Sequence, residues 1–318
     1  MKRKMEKSEL IFKIIAYTLL IIFAAMCLYP LWYALCCMFS STEALAKGDV
    51  YLWPVDFDVK NLVTVATTNE FWVYYANTLF VTFIGTIWSL VYSILGAYAL
   101  SKKRLLGRHG WNFFLVFTMW FSAGVIPTFL NYKTTGNIMA SIFTFGASSS
   151  MGSIDMKWLI VIAMGMNATN IILLRNSFEG VPSEIEEAAR IDGATELQVL
   201  TKVYIPMSKA TIATVALFFG ISRWNGYFWA YRMTAAAGQT YSWPVQVYIR
   251  DFIENYTVLT KGELGDQYAW AVDAMGGTNA TTALVYSMVV FAIIPILIIY
   301  PFIQKYFAKG VNMGGVKE

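Results

Sequence analysis

Asp56 and Asp58, just after Pro54, have the Asp-x-Asp spacing that in some sugar-nucleotide enzymes holds a divalent cation against a nucleotide diphosphate. Arg223, Trp224 and Asn225 form a second group: aromatic faces stack on sugar rings, and a guanidinium and an amide can bond hydroxyls. A third group, the polar segment 183–206, contains Glu187, Ala188, Ala189 and Gly193 and has no catalytic residue of its own. The remaining inventory is sparse. His109 is the one histidine, in a basic turn, and Cys27, Cys36 and Cys37 lack metal-ligand spacing and read as small apolar fillers. There is no HExxH or GxSxG pattern, and Gly-Lys never occurs as a dipeptide, so a Walker A loop is absent. No catalytic residue, metal site or cofactor site is therefore expected in the chain.

The elements that must position these groups are helices in lipid. Hydrophobic residues make up 57% of the chain and charged residues 14%, against about 25% charged in soluble domains. A helix needs about 20 mostly apolar residues to cross a bilayer. Six runs approach that length, at 11–38, 77–100, 112–130, 158–174, 211–231 and 281–302. The first is too long for the apolar core of a signal peptide and reads as an uncleaved span. Asn167, Thr169 and Asn170 interrupt the fourth. Polar residues at that depth face protein or a water-filled cavity, so Asn167 and Asn170 join Arg223, Trp224 and Asn225 as candidates for a translocation pathway. The expected fold is all-α and polytopic, with a short N-terminus (1–10), a membrane domain (11–302) and a tail (303–318).

Lys and Arg counts set the orientation. Fifteen basic residues fall on the side that holds both termini and the 102–108 and 175–210 connections, and seven on the other side. Both termini are thus expected in the cytoplasm, with loops 40–76, 131–157 and 232–280 outside. That places Asp56 and Asp58 outside, away from any nucleotide, and makes them a solvated turn. The segment 242–253 is apolar enough for a short surface helix. Arg223 lies about 20 Å along the fifth run from Ser208, at 1.5 Å per residue. Two readings stand for it: a snorkelling arginine in an interfacial aromatic belt, or the lining of a pathway. Pro30, Pro127, Pro295 and Pro301 fall within spans and can kink them.

The 175–210 connection reads as two short helices. Ser183 followed by Glu186 has the spacing of a capping box, acids in the first turn suit the helix dipole, and Gly193 suits a helix C-terminus. Ala188 and Ala189 keep one face low for a partner. Leu197, Leu200 and Tyr204 give the second helix an apolar face, and Pro206 ends it. On these grounds alone the connection is either an amphipathic connector resting on the membrane or a docking element.

Glu187-Ala188-Ala189, three residues, Gly193, nine residues and then Val203, Ile205 and Pro206 resembles the EAA loop of importer permeases of the ABC transporter superfamily, with Val and Ile where that pattern usually has Ile and Leu. Tyr29 to Trp32, Ala76 to Thr78, Trp224 with Asn225, and the 304–317 tail resemble the carbohydrate permeases of the maltose-type G-subunit group. The segment 248–253 is similar to the oligosaccharide or polysaccharide branch.

The resemblance implies a type I importer fold of six membrane helices and a non-catalytic translocation subunit in the bacterial cytoplasmic membrane. ATP and Mg would be held by two separate cytoplasmic ATPase subunits. The EAA loop would seat in them as a coupling helix through Glu187, Ala188, Ala189, Gly193, Ile205 and Pro206. A second, homologous permease subunit and an extracytoplasmic substrate-binding protein would complete the complex, with no nucleic acid. The cargo implied is carbohydrate, an oligosaccharide. The alternatives are a peptide or amino acid carried by the same architecture, or a membrane enzyme acting on lipid-linked sugar, which the empty catalytic inventory disfavours.

Overall fold

The computed structural model describes residues 7–121, 123–148, 150–255 and 281–315. The described residues form helices and loops, in two compact units: 1–71 with 249–294, and 72–248 with 295–318. The sequence suggests one membrane domain over 11–302. By contacts, the first span groups with the start of the last.

In the first unit, α1 (Lys7–Met38) presents large apolar side chains outward along most of its length, from Leu10 to Tyr29. A helix that is apolar all round suits lipid. Only its C-terminal end is packed. Ala34, Cys36, Cys37 and Met38 are buried, Cys36 and Cys37 against Ala44 of α2 (Thr42–Lys47), Val50 and Tyr286. Cys36 and Cys37 are thus the small fillers expected, whereas Cys27 is exposed on the apolar flank. Ser40 ties the following turn, donating to the Cys36 carbonyl at 2.7 Å and accepting from Val55 N at 3.1 Å. α3 (Lys60–Thr67) follows, and α15 (Thr281–Gly315) enters this unit with Ala283, Leu284 and Met288 buried.

The second unit is built on α4 (Asn69–Ser101), which is long and apolar enough to span a membrane unaided, as are α1 and the 282–301 part of α15. The other three runs are broken. The third becomes α5 (Arg108–Trp120) and α6 (Val125–Phe143), separated at Gly124, whose φ of +81° favours glycine. Pro127 therefore sits in the first turn of α6, where proline costs little, and kinks nothing. The fourth becomes α7 (Met156–Ala163) and α8 (Ala168–Glu179), bent by 50°. Asn167 marks that break by capping α8, its side chain accepting from Asn170 N at 3.2 Å. The fifth becomes α12 (Lys209–Trp224) and α13 (Tyr227–Ala237), which part at Asn225 and Gly226.

The 242–253 segment does form a helix, α14 (Val245–Glu254), but not a surface one: Val245, Val247, Tyr248 and Phe252 are fully buried. Within the second unit Tyr248 stacks on Tyr74 with centroids 4.3 Å apart. Thr78 receives Val245 N at 2.7 Å, satisfying an otherwise unpaired amide at the start of the helix. Asn77 donates to the Tyr241 carbonyl at 2.8 Å and the Trp243 carbonyl at 3.0 Å. The rest of the 232–280 loop, 256–280, and the side chains of the 303–318 tail lie outside the described residues.

Candidate functional site

The connector between α8 and α12 is a pair of short helices whose local signals are strong. α9 (Ser183–Ile191) starts after Pro182 with no side-chain cap; the expected Ser183–Glu186 box is not formed, because the Glu186 carboxylate is engaged elsewhere. α9 ends in a Schellman arrangement, with Gly193 N bonded to Arg190 O and Ala194 N to Ala189 O, both at 3.0 Å. This needs Gly193 in the left-handed region, at φ +80°, and nothing lies within 4 Å of where its Cβ would be. Gly193→Ala is therefore expected to cost about 1 kcal/mol through backbone strain alone, read as faster hydrogen exchange confined to 189–196. Unchanged exchange there would remove Gly193 from the turn's energetics.

The capping box lies one helix later. Thr195 caps α10 (Glu196–Val199), accepting from Gln198 N, while Gln198 Oε1 receives Thr195 N at 2.8 Å. The chain then runs through a π-helical turn (Leu200–Tyr204) into α11 (Ile205–Met207). Ile205 N reaches back five residues to Leu200 O, the wider ladder sitting immediately before Pro206, which has no N–H of its own to offer. Pro206 is thus accommodated in the last turn. The helix ends after it, and the chain enters α12 at 87°.

The two faces of this pair differ. Val199, Leu200 and Tyr204 are buried with Ala97 of α4, Ile171, Leu174 and Phe178 of α8, and Val215 and Phe219 of α12, and Ala189 and Ile205 pack against them. On the other face Glu187, Ala188, Gly193 and Pro206 are exposed, with Ile191 at 86% and Leu197 at 66%. Ala188 and Ala189 therefore do not share one face. Leu197 likewise points away from Leu200 and Tyr204. An isoleucine and a leucine this exposed on a polar connector, flanked by Glu184 and Glu187, make a face suited to another protein.

Glu186, next to Glu187 but turned inward, holds the pair in place. Its carboxylate accepts from Arg190 (3.1 and 2.8 Å) and from the Tyr204 hydroxyl, and ion-pairs with Lys102 Nζ at 2.8 Å. Burial alone would raise the Glu186 pKa. The Lys102 charge and the hydrogen bonds from Tyr204 and Arg190 outweigh that and hold it down at about 2. Burial pushes the Lys102 ammonium down, opposed by Glu186, and its charge sits over the Tyr98 and Tyr204 rings at 4.2 and 3.9 Å from their centroids. Glu196 extends the network to Tyr98, Arg104 and Arg190. An open cleft of about 850 Å³ lies beside it, lined by both signs of charge, among them Lys103, Arg108, Glu184 and Glu187.

The five pathway candidates are scattered. Arg223 is only 6% exposed, and its guanidinium donates to the Ile160 and Val161 carbonyls and to Ser89 Oγ, the last two at 2.9 and 3.0 Å. Those carbonyls belong to the last turn of α7. Because the helix breaks there, Met164 N turns back to Ile162 O, and Arg223 supplies donors in its place. Gly85 on α4 leaves the room: a Cβ there would sit 3.1 Å from Arg223 Nε. Arg223 thus neither snorkels nor faces an open lining. Trp224 is buried, edge-on to Tyr75 at 5.9 Å, and borders a small apolar cavity of about 90 Å³. Asn170 is buried, while Asn167 and Asn225 are exposed at two helix breaks.

Residues 64–313 match the family of binding-protein-dependent transport system inner membrane components. The chain belongs to this family. The permease is 34% identical over 309 residues to the polygalacturonan/rhamnogalacturonan transport system permease protein YtcP of Bacillus subtilis, covering 96% of this chain and 98% of that one. It is 32% identical to the protein LplC of the same organism, over 92% and 90%. Its structure resembles that of a chain in a bacterial ABC transporter involved in the import of the acidic polysaccharide alginate, with a TM-score of 0.79, 40% identity, and coverage of 96% and 100%. The fold is that of a type I importer permease: a non-catalytic membrane component that works with an ATPase and a substrate-binding protein.

The EAA-type segment and its place between membrane helices were legible in the sequence. The residues that sequence reasoning missed are Tyr98, Lys102, Glu186 and Tyr204. The i, i+4 spacing of Glu186 and Arg190 and the basic cluster 102–104 were the available signals.

Proposed function

We propose that this permease imports carbohydrate, an oligosaccharide or polysaccharide fragment, and that α9 is its seat for a cytoplasmic ATPase subunit. Support for the cargo comes from the relatives, whose names concern transport of polygalacturonan/rhamnogalacturonan and import of the acidic polysaccharide alginate. The observation that carries the docking role is the exposed face of Glu187, Ala188 and Ile191 on a helix pinned from behind by Glu186. The partners are two ATPase subunits, which bind ATP and Mg, a second permease subunit sharing the pathway, and a binding protein received by the outer loops. Both termini lie in the cytoplasm, on the side of the basic loops.

Glu187→Lys and Ile191→Asp alter this face without touching the packed side. Both variants are expected to insert normally and to lose at least about tenfold in ATPase co-purification, the effect of one central interface residue worth more than about 1.4 kcal/mol. Normal co-purification and normal binding-protein-stimulated ATP hydrolysis in both would sink the docking assignment. The cargo is tested by uptake of labelled acidic and neutral oligosaccharides in the assembled complex; uptake of peptides or amino acids alone would replace the carbohydrate reading.

A further inference from the structure

We propose that Lys102 and Glu186 form a pivot through which movement of α9 reaches α4, so that this pair sets how many substrate molecules are moved per ATP. The inference rests on α9 being the ATPase seat. Adjacent residues on a helix are about 100° apart, so Glu187 faces out where a partner would push and Glu186 faces in, one residue away. Lys102 directly follows the last residue of α4. Its ammonium is held from three sides, by Glu186 at 2.8 Å and by the rings of Tyr98 and Tyr204 at 4.2 and 3.9 Å.

The connector also meets α4 through an apolar cluster that includes Ala97, Val199, Leu200 and Tyr204. Apolar contact is non-directional and lets surfaces slide. A charge pair closed in by two rings resists sliding, because parting the charges leaves both enclosed without a partner. Tyr98, one turn before Lys102, adds a second directional link by donating to Glu196 at 2.9 Å, and Arg104 adds a third on the same carboxylate. A displacement of α9 and α10 must therefore carry the end of α4 with it or break the enclosed Lys102–Glu186 pair.

The test uses the full complex and compares Lys102→Met, Glu186→Gln and the double variant for ATPase co-purification and for substrate imported per ATP hydrolysed. Replacing both charges by neutral side chains of similar size preserves packing, so co-purification is expected to persist in the double variant. The import-to-ATP ratio is expected to fall by roughly fivefold or more in each single variant, the lower end of coupling between distant sites. The losses should not add in the double variant, because both remove one joint. Tyr204→Phe keeps the ring and drops the hydroxyl, and should give a smaller fall of about twofold.

Unchanged ratios in the double variant and in Tyr204→Phe would overturn the pivot. So would loss of co-purification in the double variant, which would make the pair a scaffold for the seat and nothing more. If the exposed-face variants Glu187→Lys and Ile191→Asp keep their ATPase, the docking assignment itself fails. If they lose it while the import ratio holds in the pair variants, the pivot alone fails.

Discussion

Arg223→Ala is expected to destabilise the permease by about 3–5 kcal/mol, the sum of two buried carbonyls left unsatisfied at roughly 1–3 kcal/mol each and the cavity left by the side chain. The guanidinium closes the broken end of α7, bonding the Ile160 and Val161 carbonyls and Ser89 of α4. Without it the 164–167 break has no donor for those carbonyls in a setting where water is scarce. The readout is thermal unfolding of the detergent-purified chain together with its yield in the membrane. Arg223→Lys should recover part of the loss, since one ammonium can serve two of the three acceptors but lacks the fork that reaches adjacent carbonyls. A stable Arg223→Ala chain with defective uptake would reverse this and return Arg223 to the pathway.

Asn77→Asp is the second large effect, at about 2–4 kcal/mol. Asparagine and aspartate have the same shape, but the carboxylate has no N–H. Asn77 Nδ2 donates to two carbonyls, of Tyr241 and Trp243, and its Oδ1 accepts from Lys157 Nζ at 3.2 Å. The substitution keeps the Lys157 contact and sets a negative oxygen against two carbonyl oxygens. Residues 239–248 and the start of α14 should then exchange amide hydrogens faster and become open to protease, while the 183–207 connector is unaffected. Asn77→Ala should lie close to Asn77→Asp in size. An Asn77→Asp chain with wild-type protection would show that the amide donors do not hold this segment. Because the outer loops are the proposed receiving surface for the binding protein, a loosened α14 should also weaken substrate-stimulated ATP hydrolysis.

Legibility differed between the two faces of the connector. The turns at Gly193 and Pro206 were readable because they are local: a left-handed cap and a missing N–H are properties of a few consecutive residues. Ala188 and Ala189 were read as one face, yet Ala189 packs inward against the buried cluster and Ala188 is exposed. Which of two neighbouring small residues turns inward depends on where α4, α8 and α12 lie, and nothing in the short motif states that. The same reason explains Ser183, whose capping box was plausible by spacing. Glu186 is drawn to Lys102, 84 positions earlier, by a stronger charged interaction.

The apolar runs show the same division. Length and hydropathy identified where the chain meets lipid, and α1, α4 and the 282–301 part of α15 are unbroken as expected. Composition averages over a window, so it could not show that the third, fourth and fifth runs each break, at Gly124, at 164–167 and at Asn225 with Gly226. A break in lipid is tolerated only where other groups satisfy the freed backbone. For the fourth run the donor is Arg223 on α12, whose guanidinium Ser89 of α4 also holds.

By itself the sequence determined that this is an all-helical membrane chain with no chemistry of its own and a polar EAA-type connector, because periodicity, charge bias and short motifs are written in neighbouring residues. Only the tertiary structure decided that Arg223 is a clamp, that Asn77 holds the α14 turn, and that Glu186 rather than Glu187 binds the connector to α4. Each of those roles is defined by a partner distant in the chain, and a buried polar group takes its meaning from the group that satisfies it.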